Sequence, residues 1–343
     1  MPIVVITGAE TALGRRVANL LADDPHLDVV GLAGSPAADL APGVRPRRVN
    51  LARDDIKPHL EGVAAVAHLA ASVPASPTAA TGDVEVARRV LDAAGDMGVR
   101  HVVALSSATV YGAWANNPLP LTEDAALRPN PGFPFAAERA EIERLVAEWR
   151  DAHPGAAAAV LRPARVAGAG HRDWLVRALR PPPAVPEHAD DPPVQFVDID
   201  DVARACALVV RDRLDGAYNV APEGSIPGDT VRSLIGAPPR VPLPERAASR
   251  LVRWGFRWGI GPTPPELVPY TRHPWVVAAD RLRAQGWAAA VSNEEACVEA
   301  HEVGPWATMS PRRRQEIALG VAGAGVVGVL AAVAVVVRRW LRA

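Results

Sequence analysis

The chain has 343 residues, of which 49% are hydrophobic, and its 37 Lys and Arg residues nearly balance its 38 Asp and Glu residues. This size and composition suit a globular protein of one or two domains, and the near-zero net charge argues against a nucleic-acid partner. The two cysteines, Cys206 and Cys297, have neither a CxxC spacing nor a histidine cluster beside them, which argues against a disulfide framework or a zinc site.

The first part of the chain predicts repeated strand-helix units. Between the first two strands, Leu13, Val17, Leu20 and Leu21 form one apolar helix face. Such alternation is typical of the α/β class with a doubly wound, mostly parallel Rossmann sheet, so residues 1–165 are predicted to form one domain. The predicted strands lie near residues 3–7, 28–32, 46–49, 64–69, 100–106 and 157–161.

The run VVITGAETALG links the first strand to the first helix. It places Thr7 and Gly8 at the strand end and Leu13 and Gly14 in the first helical turn. A glycine at this point lets the backbone approach a pyrophosphate, which rests on the free N–H groups of the helix. The run therefore predicts a dinucleotide site. The alternative is a glycine turn that holds no ligand.

The second strand ends in VVGLAGSP, at residues 29–36. This run contains no Asp or Glu for the adenosine ribose hydroxyls and no Arg for a 2′-phosphate. The sequence does not decide between NAD and NADP as the cofactor, but the absence of an arginine for the 2′-phosphate favours NAD.

After residue 165 the chain becomes rich in proline and irregular. Runs such as RPPPAVPEHADDPP, together with several of the nine tryptophans, indicate a smaller substrate lobe with returning Rossmann elements over residues 166–302. A polar linker is predicted over 303–315, followed by an apolar segment over 316–338.

Residues 317–337 are uncharged and almost wholly apolar, with arginines on both sides. They predict a transmembrane helix; a buried core helix is the alternative. Because no signal peptide is evident at the N-terminus, we expect the main domain to face the cytoplasm from this C-terminal anchor. Gly320, Ala324, Gly328 and Ala332 recur every four residues, a spacing compatible with a homodimer that also arises readily in an Ala, Gly and Val segment.

Further motifs follow the predicted strands in a recognisable series. In kind, order and spacing, over residues 2–300, the chain resembles the extended short-chain dehydrogenase/reductase superfamily, in particular its NAD-dependent epimerase/dehydratase branch. The resemblance implies NAD or NADP as cofactor and a small-molecule substrate of nucleotide-sugar or lipid-linked type. The motifs are HLAA at 68–71, LSSATVYG at 105–112, LRPARVAGAG at 161–170, FVDIDDVARA at 196–205, GAYNVAPEG at 216–224 and LRAQGW at 282–287.

The resemblance implies a cofactor site along the strand ends. Thr7 to Gly14 match the dinucleotide loop, but Thr11 replaces its usual middle glycine, so the added β-carbon narrows the phosphate approach or shifts the loop. We therefore expect weakened cofactor binding. The implied contacts beyond the loop are Asn50 near the adenine, Ala70 and Ala71 along the cofactor, and Pro163 near the nicotinamide.

The resemblance also implies the catalytic positions. Ser107 matches the serine that hydrogen-bonds the reacting hydroxyl or carbonyl, and Phe135 and Arg139 of PFAAERAE match the catalytic tyrosine and lysine. In this chemistry the tyrosine exchanges a proton with the substrate, and the lysine lowers its pKa and binds the nicotinamide ribose. Phe135 has no ionisable group, whereas the Arg139 side chain stays charged and keeps donors for ribose hydroxyls.

Loss of a positioned acid or base costs about a hundred- to ten-thousandfold in rate. The leading interpretation is therefore an NAD(P)-binding protein that is weakly active or noncatalytic, acting as a sensor or scaffold. The alternative is an active epimerase, dehydratase or reductase with a non-standard proton donor. Among the tyrosines, Tyr111 is interpreted as packed at a strand end, while Tyr218 and Tyr270 lie in the later lobe. Among the histidines, His171 is a better candidate for contact with the substrate than His68 or His101.

Overall fold

The computed structural model describes most of the chain. Segment 317–337, predicted to cross a membrane, and His171, predicted to approach the substrate, lie outside the described residues. Within the described residues, no helix combines the length and the apolar composition needed to cross a membrane. The described residues are 1–35, 40–76, 78–168, 174–179, 184–186, 191–236, 241–243, 250, 257, 264–301, 309–310, 312–313 and 315–316.

The main sheet has seven strands, all paired in parallel, in the order β10-β6-β5-β4-β1-β2-β3. The order runs outward in both directions from the β1–β4 pair, which is the doubly wound Rossmann arrangement that the sequence predicts. The bounds of the six predicted strands differ from the observed ones by at most two residues. The strands of this sheet are β1 Ile3–Thr7, β2 Asp28–Ala33, β3 Val44–Arg48, β4 Val63–His68, β5 His101–Leu105, β6 Ala157–Pro163 and β10 Gly216–Val220.

Two smaller pairs complete the described strands. The first pairs β7 Arg165–Ala167 with β9 Phe196–Asp198, and the second pairs β8 Ala184–Pro186 with β11 Val241–Leu243. The helices are α1 Ala12–Ala22, α2 Asp83–Asp96, α3 Pro134–Ala152, α4 Trp174–Ala178, α5 Ile199–Arg211, α6 Gly228–Leu234, α7 Pro269–Arg272, α8 Asp280–Arg283 and α9 Asn293–Ala300.

Side-chain alternation divides the core into two layers. Val4 and Ile6 of β1 join the hydrophobic cluster that contains residues of α1 and α5. Val5, between them, joins the opposite cluster, which contains residues of α2 and α3. Successive residues of a strand face opposite sides of a sheet, so a sheet covered on both faces needs apolar residues at every position. This requirement explains the continuous apolar run at the start of the sequence.

Asp201 ties the segment that precedes α9 to α5. Its side chain is fully buried and accepts hydrogen bonds from the backbone N–H groups of Ala290, at 2.8 Å, and Val291, at 3.1 Å. The indole of Trp287 also donates to the Asp201 carbonyl, at 3.1 Å. Asp201 is therefore the fixed acceptor that holds the chain leading into α9.

Replacing Asp201 with alanine should destabilise the fold. The partly buried N–H groups of Ala290 and Val291 would lose a charged, fully buried acceptor, and we expect a loss of about 2 to 3 kcal/mol in the free energy of unfolding. Urea denaturation followed by circular dichroism measures this loss. Asp200→Ala is the matched control, because the neighbouring Asp200 is exposed and, within the described part of the chain, its carboxylate pairs only with the partly exposed Arg16. Equal losses for the two variants would contradict this role of Asp201.

Candidate functional site

The carboxyl ends of the parallel strands meet at one edge of the sheet, where a ligand site is expected. At this edge the Thr7 hydroxyl lies 2.9 Å from Nδ1 of His68, and the backbone N–H of Ala70 donates to it at 3.3 Å. These contacts join the ends of β1 and β4. They fix the floor of the crevice at the point where the strand order reverses.

The glycine loop lies directly on this floor. Gly8 has φ +73°, and a β-carbon there would stand 2.7 Å from Cα of Ala70. A β-carbon on Gly14 would stand 2.1 Å from the Gly8 carbonyl oxygen. Both distances are shorter than any real contact, so only glycine fits at either position. The loop backbone therefore approaches the strand ends as a dinucleotide fold requires.

Thr11 caps helix α1. Its hydroxyl donates to the Gly8 carbonyl at 2.8 Å and accepts from the Gly14 N–H at 2.9 Å, and its backbone is extended with φ −72°. The threonine thus fits the loop without strain. A helix leaves its first N–H groups without intrahelical partners; the cap takes that of Gly14, and those of Ala12 and Leu13 remain for a ligand.

The other implied cofactor contacts are spread along the same edge. Ala70 lies against Gly8, whereas Ala71 is exposed. Pro163 is buried at the end of β6, where it pairs with Val220 of β10. The side chain of Leu13 packs in the core, so that only its backbone faces a ligand.

Asn50 follows the edge strand β3 and is exposed. Its side-chain oxygen accepts from the N–H of Ala52 at 3.1 Å, which leaves the amide N–H₂ group as the free end. A side-chain amide donor in this position suits the edge of a base. Together, the close glycine packing, the free N–H groups of the first helical turn and this donor fit an NAD-like dinucleotide.

Ser107 lies two residues after the end of β5 and is buried. Its hydroxyl oxygen accepts from the backbone N–H of Thr109 at 3.3 Å and from the Thr109 hydroxyl at 3.0 Å. Both contacts use the oxygen as acceptor, so the hydroxyl hydrogen remains available to a substrate oxygen. No acid or base among the described residues bonds this hydroxyl, which therefore orients a substrate better than it deprotonates one.

Phe135 lies in the first turn of α3 inside an aromatic cluster. Its ring centroid stands 5.1 Å from that of Trp174, edge to face at 82°, and 5.8 Å from that of Phe133. The guanidinium carbon of Arg139, one helical turn later, lies 4.9 Å from the same ring centroid. The side chain is partly buried and is held by packing contacts alone. Nothing in this cluster transfers a proton.

Arg139 is buried and forms an ion pair with the equally buried Asp83 of α2. The Asp83 carboxylate also accepts the backbone N–H of Ser72, at 3.2 Å from each oxygen. Only one terminal nitrogen of Arg139 takes part in the pair, so the remaining N–H groups are without hydrogen-bond partners among the described residues. Asp83 is a site residue that the sequence motifs did not reveal. The signal that could have found it is an acid at the first position of α2, where helix N-termini favour acidic residues.

No tyrosine replaces the missing phenol in the described geometry. The chain has three tyrosines, all described, and each hydroxyl donates to a fixed acceptor. Tyr111 is fully buried, as predicted, and burial raises its pKa to about 12. Burial also raises the pKa values of the other two. The three hydroxyls donate from Tyr111 to Asn219 Oδ1 at 2.8 Å, from Tyr218 to the Asp215 carbonyl at 3.0 Å, and from Tyr270 to the Thr109 carbonyl at 2.9 Å.

His68, at the end of β4, is influenced by the charges of the buried ion pair. Burial and, to a smaller extent, the charge of Arg139 lower the pKa of His68 to about 4, and the charge of Asp83 opposes the shift. Its Nε2 atom is enclosed and has no hydrogen-bond partner among the described residues. His68 is therefore neutral near pH 7 and supplies no acidic proton there.

Comparisons with known proteins agree with this geometry. The family model described as NAD dependent epimerase/dehydratase family matches residues 4–221. Among solved structures, MoeE5 in complex with UDP-glucuronic acid and NAD has a TM-score of 0.63 and 22% identity, covering 86% of this chain and 96% of that one. A search of curated proteins gives no match.

Two epimerase structures are similar to the same degree. A tyrosine-to-phenylalanine mutant of UDP-glucuronic acid 4-epimerase from Bacillus cereus, in complex with a UDP-4-deoxy-4-fluoro-glucuronic acid and NAD, has a TM-score of 0.63 and 15% identity, covering 88% and 98% of the two chains. UDP-glucose 4-epimerase from Thermus thermophilus, in complex with NAD, has a TM-score of 0.59 and 22% identity, covering 87% and 97%. At these identities the likeness establishes the shared fold.

The buried, neutral state of His68 predicts an acid-sensitive fold. Its folded pKa of about 4 lies below the ordinary value of 6.5, so between these pH values the unfolded chain binds a proton that the folded chain does not. Stability should fall as pH drops from 6.5 toward 4, by up to about 1.4 kcal/mol per pH unit from this group.

Thermal unfolding of the wild type and of His68→Gln across this pH range measures the effect. Glutamine retains a hydrogen-bonding group for Thr7 but does not titrate, so its pH dependence should be flatter. His26→Gln serves as control because His26 is exposed. A His68→Gln variant with the full wild-type pH dependence would show that this histidine does not carry the effect.

Proposed function

The chain belongs to the NAD-dependent epimerase/dehydratase family, and on that premise we propose that it binds NAD with a nucleotide-sugar-like or lipid-linked small molecule and turns it over weakly or not at all. Its role is then that of a sensor or scaffold that responds to the bound pair. The observation that carries this proposal is the occupation of the proton-donor position by Phe135, packed against Trp174, with no tyrosine placed to replace it.

The support for binding comes from the backbone. The glycines, the cap and the first N–H groups of α1 form a pyrophosphate cradle that does not depend on the catalytic side chains. In the structurally similar Bacillus cereus epimerase, a protein with one tyrosine changed to phenylalanine holds both NAD and a UDP-sugar. A protein of this fold therefore holds both ligands without that tyrosine.

When bound, NAD supplies the hydride acceptor. The residues of this chain contribute the rest: Ser107 donates a hydrogen bond to a substrate oxygen, and Arg139 places a positive charge beside the ring of Phe135. Neither group removes a proton near pH 7. The step that such an enzyme needs, transfer of the hydroxyl proton, has no carrier among these side chains.

The membrane anchor belongs to the same proposal. Residues 317–337 hold the domain at the cytoplasmic face of a membrane and bring it to lipid-linked molecules. The support is the length and apolar composition of this segment and its flanking arginines.

Placing a tyrosine at position 135 and a lysine at position 139 should raise turnover. Calorimetry on the full chain in detergent should detect NAD binding, and turnover of a panel of UDP-sugars should stay at background. The double variant Phe135→Tyr, Arg139→Lys should raise the rate by about a hundred- to ten-thousandfold, because it returns the proton carrier and its charged neighbour. The control is Arg139→Lys alone, which keeps a cation beside Asp83 but adds no phenol.

The outcomes separate the parts of the proposal. Wild-type turnover clearly above background would overturn weak catalysis and favour the alternative, an active enzyme with a non-standard proton donor. Absence of NAD binding at millimolar concentration would remove the cofactor from the proposal. A double variant that binds NAD but stays inactive would show that the loss of chemistry is not confined to these two positions.

The anchor has its own test. The full chain should sediment with membranes after a high-salt wash and be released only by detergent. The double variant Val327→Arg, Leu330→Arg should shift into the soluble fraction, because each charge at the centre of a span costs about 2.5 to 3.5 kcal/mol. A matched variant, Val327→Leu with Leu330→Val, should stay with the membranes. Recovery of the wild type in the soluble fraction would contradict the anchor.

A further inference from the structure

Glu10 brings a carboxylate to the end of β2. The second strand continues into Gly34 and Ser35 and carries no acid of its own at this end. Glu10 belongs instead to the glycine loop after β1, and its Oε1 atom accepts a hydrogen bond from the backbone N–H of Gly34 at 2.9 Å. The fold therefore places a negative charge where the sequence of β2 provides none.

The second oxygen of the same carboxylate is enclosed but unused. Oε2 of Glu10 has no hydrogen-bond partner among the described residues. An enclosed carboxylate oxygen without a donor costs free energy, and a ligand hydroxyl would remove that cost. The side chain as a whole is only partly buried, so it can turn Oε2 outward when a ligand hydroxyl arrives.

The position of Glu10 relative to the cradle indicates which ligand hydroxyls it would bind. The N–H of Ala9 donates to the carbonyl of Leu32 at 3.1 Å and joins the loop to β2, while Thr11 caps α1 on the other side. Glu10 thus stands between the pyrophosphate cradle and the end of the second strand. In dinucleotide folds this is the place of the adenosine ribose, where an acid binds the hydroxyls.

We propose that Glu10 binds the adenosine ribose hydroxyls of NAD and makes this site reject NADP, in place of an acid on β2. This inference rests on the proposed binding of NAD. A carboxylate accepts hydrogen bonds from ribose hydroxyls, whereas it repels the phosphate that NADP carries on one of them. The neighbouring cations, Arg47 and Arg48 of the edge strand β3, oppose this selection, but both are exposed to solvent and salt.

The test compares ligands that differ only in that phosphate. ADP-ribose and 2′-phospho-ADP-ribose are titrated into the full chain by calorimetry; they lack the nicotinamide, so neither Phe135 nor catalysis affects the result. NAD and NADP are titrated in parallel. The variant is Glu10→Gln, which keeps an oxygen for the Gly34 N–H and removes only the charge. Glu61→Gln, at an exposed glutamate, is the matched control.

The wild type and Glu61→Gln should bind ADP-ribose at least about ten-fold more tightly than 2′-phospho-ADP-ribose. This is the effect expected from repulsion between one pair of charges in a partly solvated site. Glu10→Gln, at an unchanged melting temperature, should lose most of this preference. An unchanged preference in a folded Glu10→Gln variant overturns the role of Glu10 and leaves the proposed function standing. Tighter wild-type binding of the phosphorylated ligand overturns it as well, and binding of neither dinucleotide overturns the proposed function itself.

Discussion

The buried ion pair between Arg139 and Asp83 is the interaction on which the geometry of the candidate site depends. It joins the first turn of α2 to the second turn of α3, two helices that cover the same face of the sheet, and Asp83 also holds the chain after β4 through Ser72. A buried charge is tolerated only when it is paired, so neither partner can be changed alone at small cost. The positive charge of Arg139 in turn rests on the Phe135 ring and adds to the larger effect of burial in lowering the pKa of His68. One pair therefore sets the electrostatics of the whole cluster.

The cofactor side is governed by a different constraint, close backbone packing. Gly8 and Gly14 exclude any larger residue, and the strand order reverses between β1 and β4 directly beneath them. Thr11, which introduces a β-carbon into the loop, turns its hydroxyl back onto the loop backbone and caps the helix. The cradle is thus defined by main-chain geometry and one cap. Its remaining donors are N–H groups, which persist whatever side chains stand at the catalytic positions.

Much of the fold could be predicted from the sequence, because the strands of a sheet covered on both faces are apolar at every position and the glycine loop marks where the first one ends. The partners of the site residues could not. That Arg139 would pair with Asp83, 56 residues earlier, or that Glu10 would reach Gly34, 24 residues later, depends on tertiary packing that no local pattern encodes. The interpretation of Thr11 as an intrusion overlooked its second use as an N-cap, which a threonine directly before a helical run does indicate. The predicted membrane segment stays a prediction.

Phe135 and Arg139 differ in what they imply about function. Lys57 is the only lysine of the chain, so an arginine at 139 follows from the composition, and Asp83 accommodates it in a buried pair that retains the charge. Phe135 has no such explanation, and its ring makes edge-to-face contact with Trp174 where a phenol would need a polar partner. The charge of Arg139 and the backbone cradle at the glycine loop are both features that cofactor binding needs. The tyrosine hydroxyl that Phe135 lacks is needed only for proton transfer. On the proposed function, these two positions therefore keep the bound state of the protein and not its turnover.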